Sequence, residues 1–378
     1  MLFIQEFIQN HPDTWEQRLS EAPYALKIKR SPFADGRYVM FNYNMLESDN
    51  YNDLVAEARG LVLDSENDFK IVRKGFNRFF NYGEGPAAKI DWDTASATIK
   101  EDGTLLFLSY YDGRWMLGTR QNFDLREAEM SDALYPTFFD LFQDVVHKHY
   151  PKFALGGMLG QNCTWCFELC SRFNRIVIDY PEPKLFLLAK FDNDSGREFP
   201  QHLVDADAKY MGVDRPQAYK MSSFNDYMQI VELQQRIEEF GIQHEGIVVL
   251  DGKGDRIKMK SKLYFEMHKQ VSNGAMDLEA MVGLIRKGED AEFLSYFPEY
   301  KEKFDVVRKQ IVDALIRIQQ INRACEVGQR SMNRKDFALE HKDDPHAMLW
   351  FKAYDGKLTD DFVAAIPDDK FVQMFGIA

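Results

Sequence analysis

Residues 98–106 read TIKEDGTLL, a lysine, two acids and a glycine set between two apolar runs. Thr98-Ile99 has the β-branched character of a strand end, and Leu105-Leu106-Phe107-Leu108 that of a second strand. The intervening 100–104 reads as a tight connection in which Asp102-Gly103 supplies turn chemistry. By itself the stretch predicts a solvated hairpin loop. Its reading decides whether this region is a meander or something built for chemistry.

Around it, strand-like segments recur: RYVMFNYNM (37–45), ARGLVLD (58–64), FKIVRKGF (69–76) and RWMLGTR (114–120). Residues 126–150 predict a helix, with Pro136 a boundary or start signal. Strands return in TWCFELC (164–170), NRIVIDY (174–180) and KLFLLAKFD (184–192). A helix is expected over 223–240. HEGIVVLDG (244–252) and DRIKMKSKLYF (255–265) then read as a hairpin joined through Asp251-Gly252. The opening MLFIQEFIQNHPDTWEQRL predicts an amphipathic helix. Beyond about residue 270 the apolar residues fall at helical spacing with almost no alternation. The expected architecture is an α+β domain over 1–270, with antiparallel β-sheets flanked by helices, and an all-helical domain over 271–378.

The 378 residues suffice for two domains with a sizeable core. No apolar run approaches the roughly 20 residues needed to span a bilayer, so no membrane association is expected. Four cysteines do not make a disulfide framework. CTWC (163–166) has the spacing of a zinc or redox half-site but lacks a second pair and sits in a strand pattern. A reduced structural role and a cytoplasmic setting follow. The net charge of −13 argues against a basic protein that coats nucleic acid, yet leaves room for a local cationic cleft.

Several segments fit attack by a lysine on a nucleoside triphosphate. Such a lysine must be neutral, and neighbouring cations lower its pKa. In IKMKS (257–261), Lys258 and Lys260 lie two apart and share a strand face. That pair is expected to hold phosphates and to depress the pKa of Lys100. Glu168 shares a face with Cys166 and Cys170, and Glu245-Gly246 opens an apolar strand whose glycine permits close approach. Arg59 and Arg120 add cations at strand starts.

Arg59-Gly60, Lys100-x-Asp102-Gly103, Phe167-Glu168, Glu245-Gly246 and Lys258-x-Lys260, in that order, resemble the covalent nucleotidyltransferase superfamily. The sequence is most similar to the RNA ligase 1 family, the bacteriophage-type tRNA-repair ligases. FNYN (41–44), EARGLVL (57–63), RFFNYGE (78–84), KEDGTL (100–105), FELCSRFNRIVIDYPEPKLFLLAKF (167–191) and KMKSKLYFEMH (258–268) carry the resemblance. It covers about residues 35–270.

The resemblance implies an ATP-dependent RNA ligase that uses Mg²⁺ or Mn²⁺ and acts on RNA 5′-phosphate and 3′-hydroxyl ends. Nicked tRNA anticodon loops are the implied partner, with the helical domain choosing the RNA. Lys100 would carry AMP, with Lys258 and Lys260 on the α-phosphate. Tyr43, Arg59, Arg78, Arg120, Glu168 and Glu245 would contact ATP, with Gly103 and Gly246 leaving room for it. Glu168 and Asp290 are the candidate metal ligands, and Phe80 falls at a position important for activity. Arg78 and Arg120 stand where the family usually has lysines, a non-equivalent exchange. Rival readings are a DNA ligase or mRNA capping enzyme, which would carry a small β-barrel after Lys260, and a non-catalytic RNA-end-binding relative.

Overall fold

The computed structural model describes the chain apart from residues 45–46, 131, 154–161, 220–232, 236, 240–242, 262, 265–266, 268–270, 273–274, 289, 291–292, 295–296 and 329–330. It divides into two compact units, Met1–His268 and Lys269–Ala378.

The first unit opens with two short helices, α1 (Phe3–Asn10) and α2 (Trp15–Ser20), rather than one long one. Strands β1 (Lys27–Arg30), β2 (Tyr38–Asn42), β3 (Arg59–Asp64) and β4 (Lys70–Arg73) follow, with α3 (Asp53–Glu57) between β2 and β3. These four strands form one antiparallel sheet in the order β1-β2-β3-β4. Ile4, Ile8, Trp15 and Leu19 from the helices pack with Val39, Phe41, Leu61 and Leu63, so the sheet's alternation buries one face beneath them.

Strands β5 (Phe80–Asn81), β6 (Ser96–Lys100), β7 (Thr104–Tyr111) and β8 (Arg114–Thr119) come next, then α4 (Phe138–His149). Strands β9 (Cys163–Cys170) and β10 (Lys184–Asp192), helix α5 (Gln201–Met211), and strands β11 (Ala218–Tyr219), β12 (Gly246–Leu250) and β13 (Arg256–Lys260) complete the unit. β7 and β8 join β9 and β10 in a sheet ordered β10-β9-β7-β8, whereas β6 joins another ordered β11-β6-β12-β13-β5. The pairs in both are antiparallel except β13–β5, which is parallel.

The hairpin expected at 98–108 is therefore absent. β6 and β7 belong to different sheets, and 101–103 carries the chain from one to the other. The physical reason is Asp102, which is buried rather than solvated. Its Oδ2 accepts from the backbone N–H groups of Val177 and Ile178 at 2.9 and 2.8 Å, and its Oδ1 from the Tyr264 hydroxyl at 2.7 Å. Those same bonds explain why NRIVIDY is not a strand. The N–H groups of Val177 and Ile178 go to a side chain instead of a ladder.

Helix α4 begins only at Phe138. Thr137 and Asp140 form a capping box there, while 126–137 folds back through Met130 N–H to Pro136 O. The expected helix over 223–240 falls largely outside the described residues. β12 and β13 pair antiparallel across the Asp251 turn, as their alternation implied.

Among its described residues the second unit holds a two-residue strand pair, β14 (Val271–Ser272) with β15 (Ala275–Met276), and otherwise helices and their connections. These are α6 (Leu278–Lys287), α7 (Lys301–Val327), α8 (Arg334–His341), α9 (Ala347–Tyr354), α10 (Asp360–Ala364) and α11 (Asp368–Phe375). α7 buries Phe304, Val307, Ile311, Ala314, Ile318, Ile321 and Cys325, a stripe at alternating three- and four-residue steps. Antiparallel sheets accompanied by helices in the first unit, followed by a mostly helical second unit, match the expected fold class. Among the described residues no helix is long and apolar enough to cross a membrane. None of the four cysteines is in a disulfide, and all are buried.

Candidate active site

Register between β6, β12 and β13 sets the site out as a grid. Gly246 lies opposite both Lys100 and Lys260, Val248 opposite Thr98 and Lys258, and Leu250 opposite Ser96 and Arg256. The intervening Ala97, Ile99, Ile247, Val249, Ile257 and Met259 are buried in the core on the other face. Alternation thus places Lys260, Lys258 and Arg256 in a cationic column along β13.

At the first row, Lys100 Nζ donates to Glu245 Oε2 at 2.6 Å and Lys260 Nζ to Glu245 Oε1 at 2.8 Å. The Glu245 side chain is 3% exposed, against 24% and 21% for the two lysines. Burial works to raise the Glu245 carboxyl, but its two lysines hold it below the usual carboxylate value. Burial likewise works against the Lys100 ammonium, but Glu245 and Glu168 hold it above the ordinary lysine value. The expectation that neighbouring lysines depress Lys100 is therefore not met, because a carboxylate stands between it and Lys260. The depressed lysine is Lys258. Burial, with Lys260, Lys100 and Arg59 around it, pushes it down to about 8.

A cavity of about 320 Å³ covers this face from Lys100 to Arg256 and reaches across to the β10-β9-β7-β8 sheet, while Lys258 and Lys260 line a separate cavity of about 420 Å³. One wall carries Thr98, Lys100, Val248, Leu250 and Arg256, and the other Leu105, Glu168 and Leu188. Arg59, Phe76 and Phe79 also line it. Glu168 Oε1 accepts from the Gly103 N–H at 3.1 Å, and burial pushes its carboxyl up to about 7. Arg59 carries a buried Nη1 with no hydrogen-bond partner, a donor positioned for an anion. The sheet crossing at 101–103 is what sets Lys100 and Glu168 at one cavity.

Tyr43 and the two remaining arginines form a separate cluster. The Arg120 Nη1 donates to the Tyr43 hydroxyl at 2.9 Å, and the Arg78 guanidinium lies 4.2 Å from the Tyr43 ring centroid. Arg78 also stacks on Phe80, at 4.9 Å, and both line a larger adjoining cavity of about 910 Å³. Tyr43 and Arg120 line neither cavity. Tyr43 is buried and serves as the aromatic anchor of two cations.

Gly103 lines the cavity, and both glycines also sit tight against neighbouring backbone. A Cβ on Gly103 would strike the Leu169 carbonyl, and one on Gly246 (φ 152°) would strike that of Met259. The space they keep is taken by neighbouring backbone. Asp290 lies in the second unit, where its Oδ2 accepts from Arg308 Nη2 at 2.5 Å. Among the described residues no group of three or more His, Cys, Asp or Glu side chains converges as a metal cage. Sequence reasoning missed Arg256, although it continues the two-residue spacing of Lys258 and Lys260. It also missed Gln201 and Arg215, which enter the cavity from outside the sheets and left no periodic signal.

A lysine at a nucleoside-sized cavity between two sheets, ion-paired through one buried carboxylate to a second lysine, has the build of a nucleotidyltransferase. A sequence model described as RNA ligase matches residues 57–270, more than half of the chain, and the chain belongs to that family. A protein of Autographa californica nuclear polyhedrosis virus, whose name describes a bifunctional polynucleotide kinase/RNA ligase, is 29% identical over 302 residues. The match takes in 76% of this chain and 41% of that relative, so the chain spans well under half of the relative's length. Among solved structures, two forms of an archaeal ATP-dependent RNA ligase align with 85% and 99% of this chain and 83% and 89% of theirs. Their identities are 13% and 11%, each with a TM-score of 0.46.

Proposed function

We propose that the chain is an ATP-dependent RNA ligase that seals an RNA 5′-phosphate to a 3′-hydroxyl through AMP carried on Lys100. The observation that carries the reading is the ion-paired Lys100–Glu245–Lys260 row around a buried carboxylate, with Lys258 beside it and Lys100 opening on the cavity. In the first step Lys100 Nζ bonds to the α-phosphorus of ATP, the bond to the β-phosphate oxygen breaks, and pyrophosphate leaves. Lys100 must first shed a proton, and Glu245 Oε2 at 2.6 Å is the acceptor in place. An oxygen of the RNA 5′-phosphate then displaces Lys100 from phosphorus. Finally the 3′-hydroxyl attacks the 5′-phosphorus and AMP departs.

Lys258, Lys260 and Arg59 supply fixed positive charge where each transfer develops negative charge. The carboxylates at the cavity, Glu168 and Glu101, suit a Mg²⁺ or Mn²⁺ ion that takes most of its ligands from phosphates and water. Such an ion would neutralise charge on the triphosphate. Asp290, bonded to Arg308, is not included in that set. The helical second unit contains no small β-barrel among its described residues, which favours an RNA ligase over a DNA ligase or capping enzyme. We assign that unit the choice of RNA, with broken tRNA anticodon loops in the cytoplasm as the substrate.

The test is incubation with α-labelled ATP and Mg²⁺. An adenylate adduct that survives alkali and is released by acid, as a lysine phosphoramidate is, is expected on the wild-type chain and none on Lys100→Ala. Undiminished labelling of that variant removes the nucleophile from the reading.

A further inference from the structure

The far end of the 320 Å³ cavity holds a polar network that the chemistry at Lys100 does not use. Gln201, Arg215 and Arg256 line it. Arg215 Nη2 donates to Gln201 Oε1 at 2.6 Å, and Gln201 Nε2 donates to Glu198 Oε1 at 2.8 Å. Arg256 closes the chain with two bonds to Glu198, at 2.6 and 2.5 Å. Arg215 is anchored in turn by the carbonyl of Leu188 and by Asp205.

We propose that Gln201 is the nucleobase-reading residue of the site and that Arg215 and Glu198 lock its amide to select adenine over guanine. The inference rests on the ATP reading above. The row of Ser96, Leu250 and Arg256 lies four strand positions from that of Lys100, about 13 Å along the sheet. With its α-phosphate at Lys100, a nucleotide extends its sugar over Thr98 and Val248 and its base toward that far row. Val248 and Leu250 on one side and Phe79 on the other supply apolar walls for the ring.

A primary amide has two acceptor lone pairs on oxygen and two N–H donors. Arg215 takes one lone pair and Glu198 takes one N–H, which leaves Gln201 one acceptor and one donor of fixed order. Exchanging them by rotating the amide would put N–H against a guanidinium and oxygen against a carboxylate. Adenine presents an N6 donor beside a ring-nitrogen acceptor on either edge, and so matches Oε1 and Nε2. Guanine presents O6 as an acceptor where adenine has its donor, which opposes Oε1. Discrimination thus comes from the lock, and an unlocked glutamine would serve either base.

The experiment follows covalent nucleotide transfer to the full-length chain from α-labelled ATP and GTP at subsaturating concentrations. Wild type is expected to favour ATP by at least about tenfold. Gln201→Met, which keeps length and loses both polar groups, should bring the ATP:GTP ratio to within about threefold of unity, mostly through loss with ATP. Arg215→Lys, which keeps charge but not the forked contacts, should lower the ratio mostly through gain with GTP. A Gln201→Met chain that forms adduct at the wild-type ratio overturns the assignment, as does a wild type without preference. Should Gln201→Met fail to fold, an unchanged ratio in Arg215→Lys overturns the lock and a lowered one supports it. Absence of adduct from either nucleotide on wild type instead overturns the functional reading itself.

Discussion

Replacing Asp102 with alanine should unfold the chain more than it should alter its chemistry. Asp102 is 2% exposed and accepts three hydrogen bonds, from Val177 N–H, Ile178 N–H and the Tyr264 hydroxyl. Alanine leaves these three donors buried without their acceptor, each at a cost of about 1–3 kcal/mol. The bonds share one carboxylate, so the costs do not add fully, and a net loss of about 3–6 kcal/mol is expected. That is a large part of the about 5–15 kcal/mol by which a domain is stable. Asp102→Asn retains one acceptor oxygen for the two backbone groups and should lose only about 1–2 kcal/mol. Equilibrium urea denaturation, read by tryptophan fluorescence, gives the stability difference. Single-turnover labelling from ATP, normalised to folded protein, gives the chemistry. If Asp102→Ala stays within about 1 kcal/mol of wild type yet labels a hundredfold more slowly, Asp102 acts on the nucleotide and the clamp argument fails.

Glu168→Gln should gain stability on wild type as pH rises. Burial raises the Glu168 carboxyl from 4.5 to about 7, so its contribution is fully present below pH 4.5 and lost as pH passes 7. The interval corresponds to at most about 3 kcal/mol, less what water in the cavity screens, and thermal melts at pH 4.5 and 8 measure it. Lys260→Ala should slow adduct formation at least about thirtyfold, since it removes a cation from a desolvated site and leaves Glu245 with Lys100 alone; a rate within threefold of wild type counts against any phosphate role. Gly246→Ala should cost at least about 1–3 kcal/mol in backbone strain alone, and a urea midpoint matching wild type would contradict the close strand approach. A chain ending at His268 should still take AMP from ATP while losing any preference for tRNA ends; a folded fragment that takes none would refute the division of labour.

Two-residue alternation is a local property, and whatever rests on it was legible in the sequence. It placed Lys258 and Lys260 on one face, set Glu168 beside Cys166 and Cys170, and paired 246–250 with 256–260. The three- and four-residue steps along α7 likewise announced a helical second unit. The protonation of Lys100 was not legible. It depends on a 2.6 Å contact with Glu245, 145 positions away, and spacing within one strand says nothing of which charge a fold inserts between two lysines. The sheet crossing at 101–103 was hidden for the same reason. Asp-Gly reads as a turn in any chain, and only the burial of Asp102 under Val177, Ile178 and Tyr264 makes it the pin between two sheets. Gln201 and Arg215 belong wholly to the tertiary structure, because the direction of a glutamine's amide is set by neighbours that no periodicity records. Residue type and period determined which groups could act. The donors and charges brought to them from distant segments decided in what state they stand.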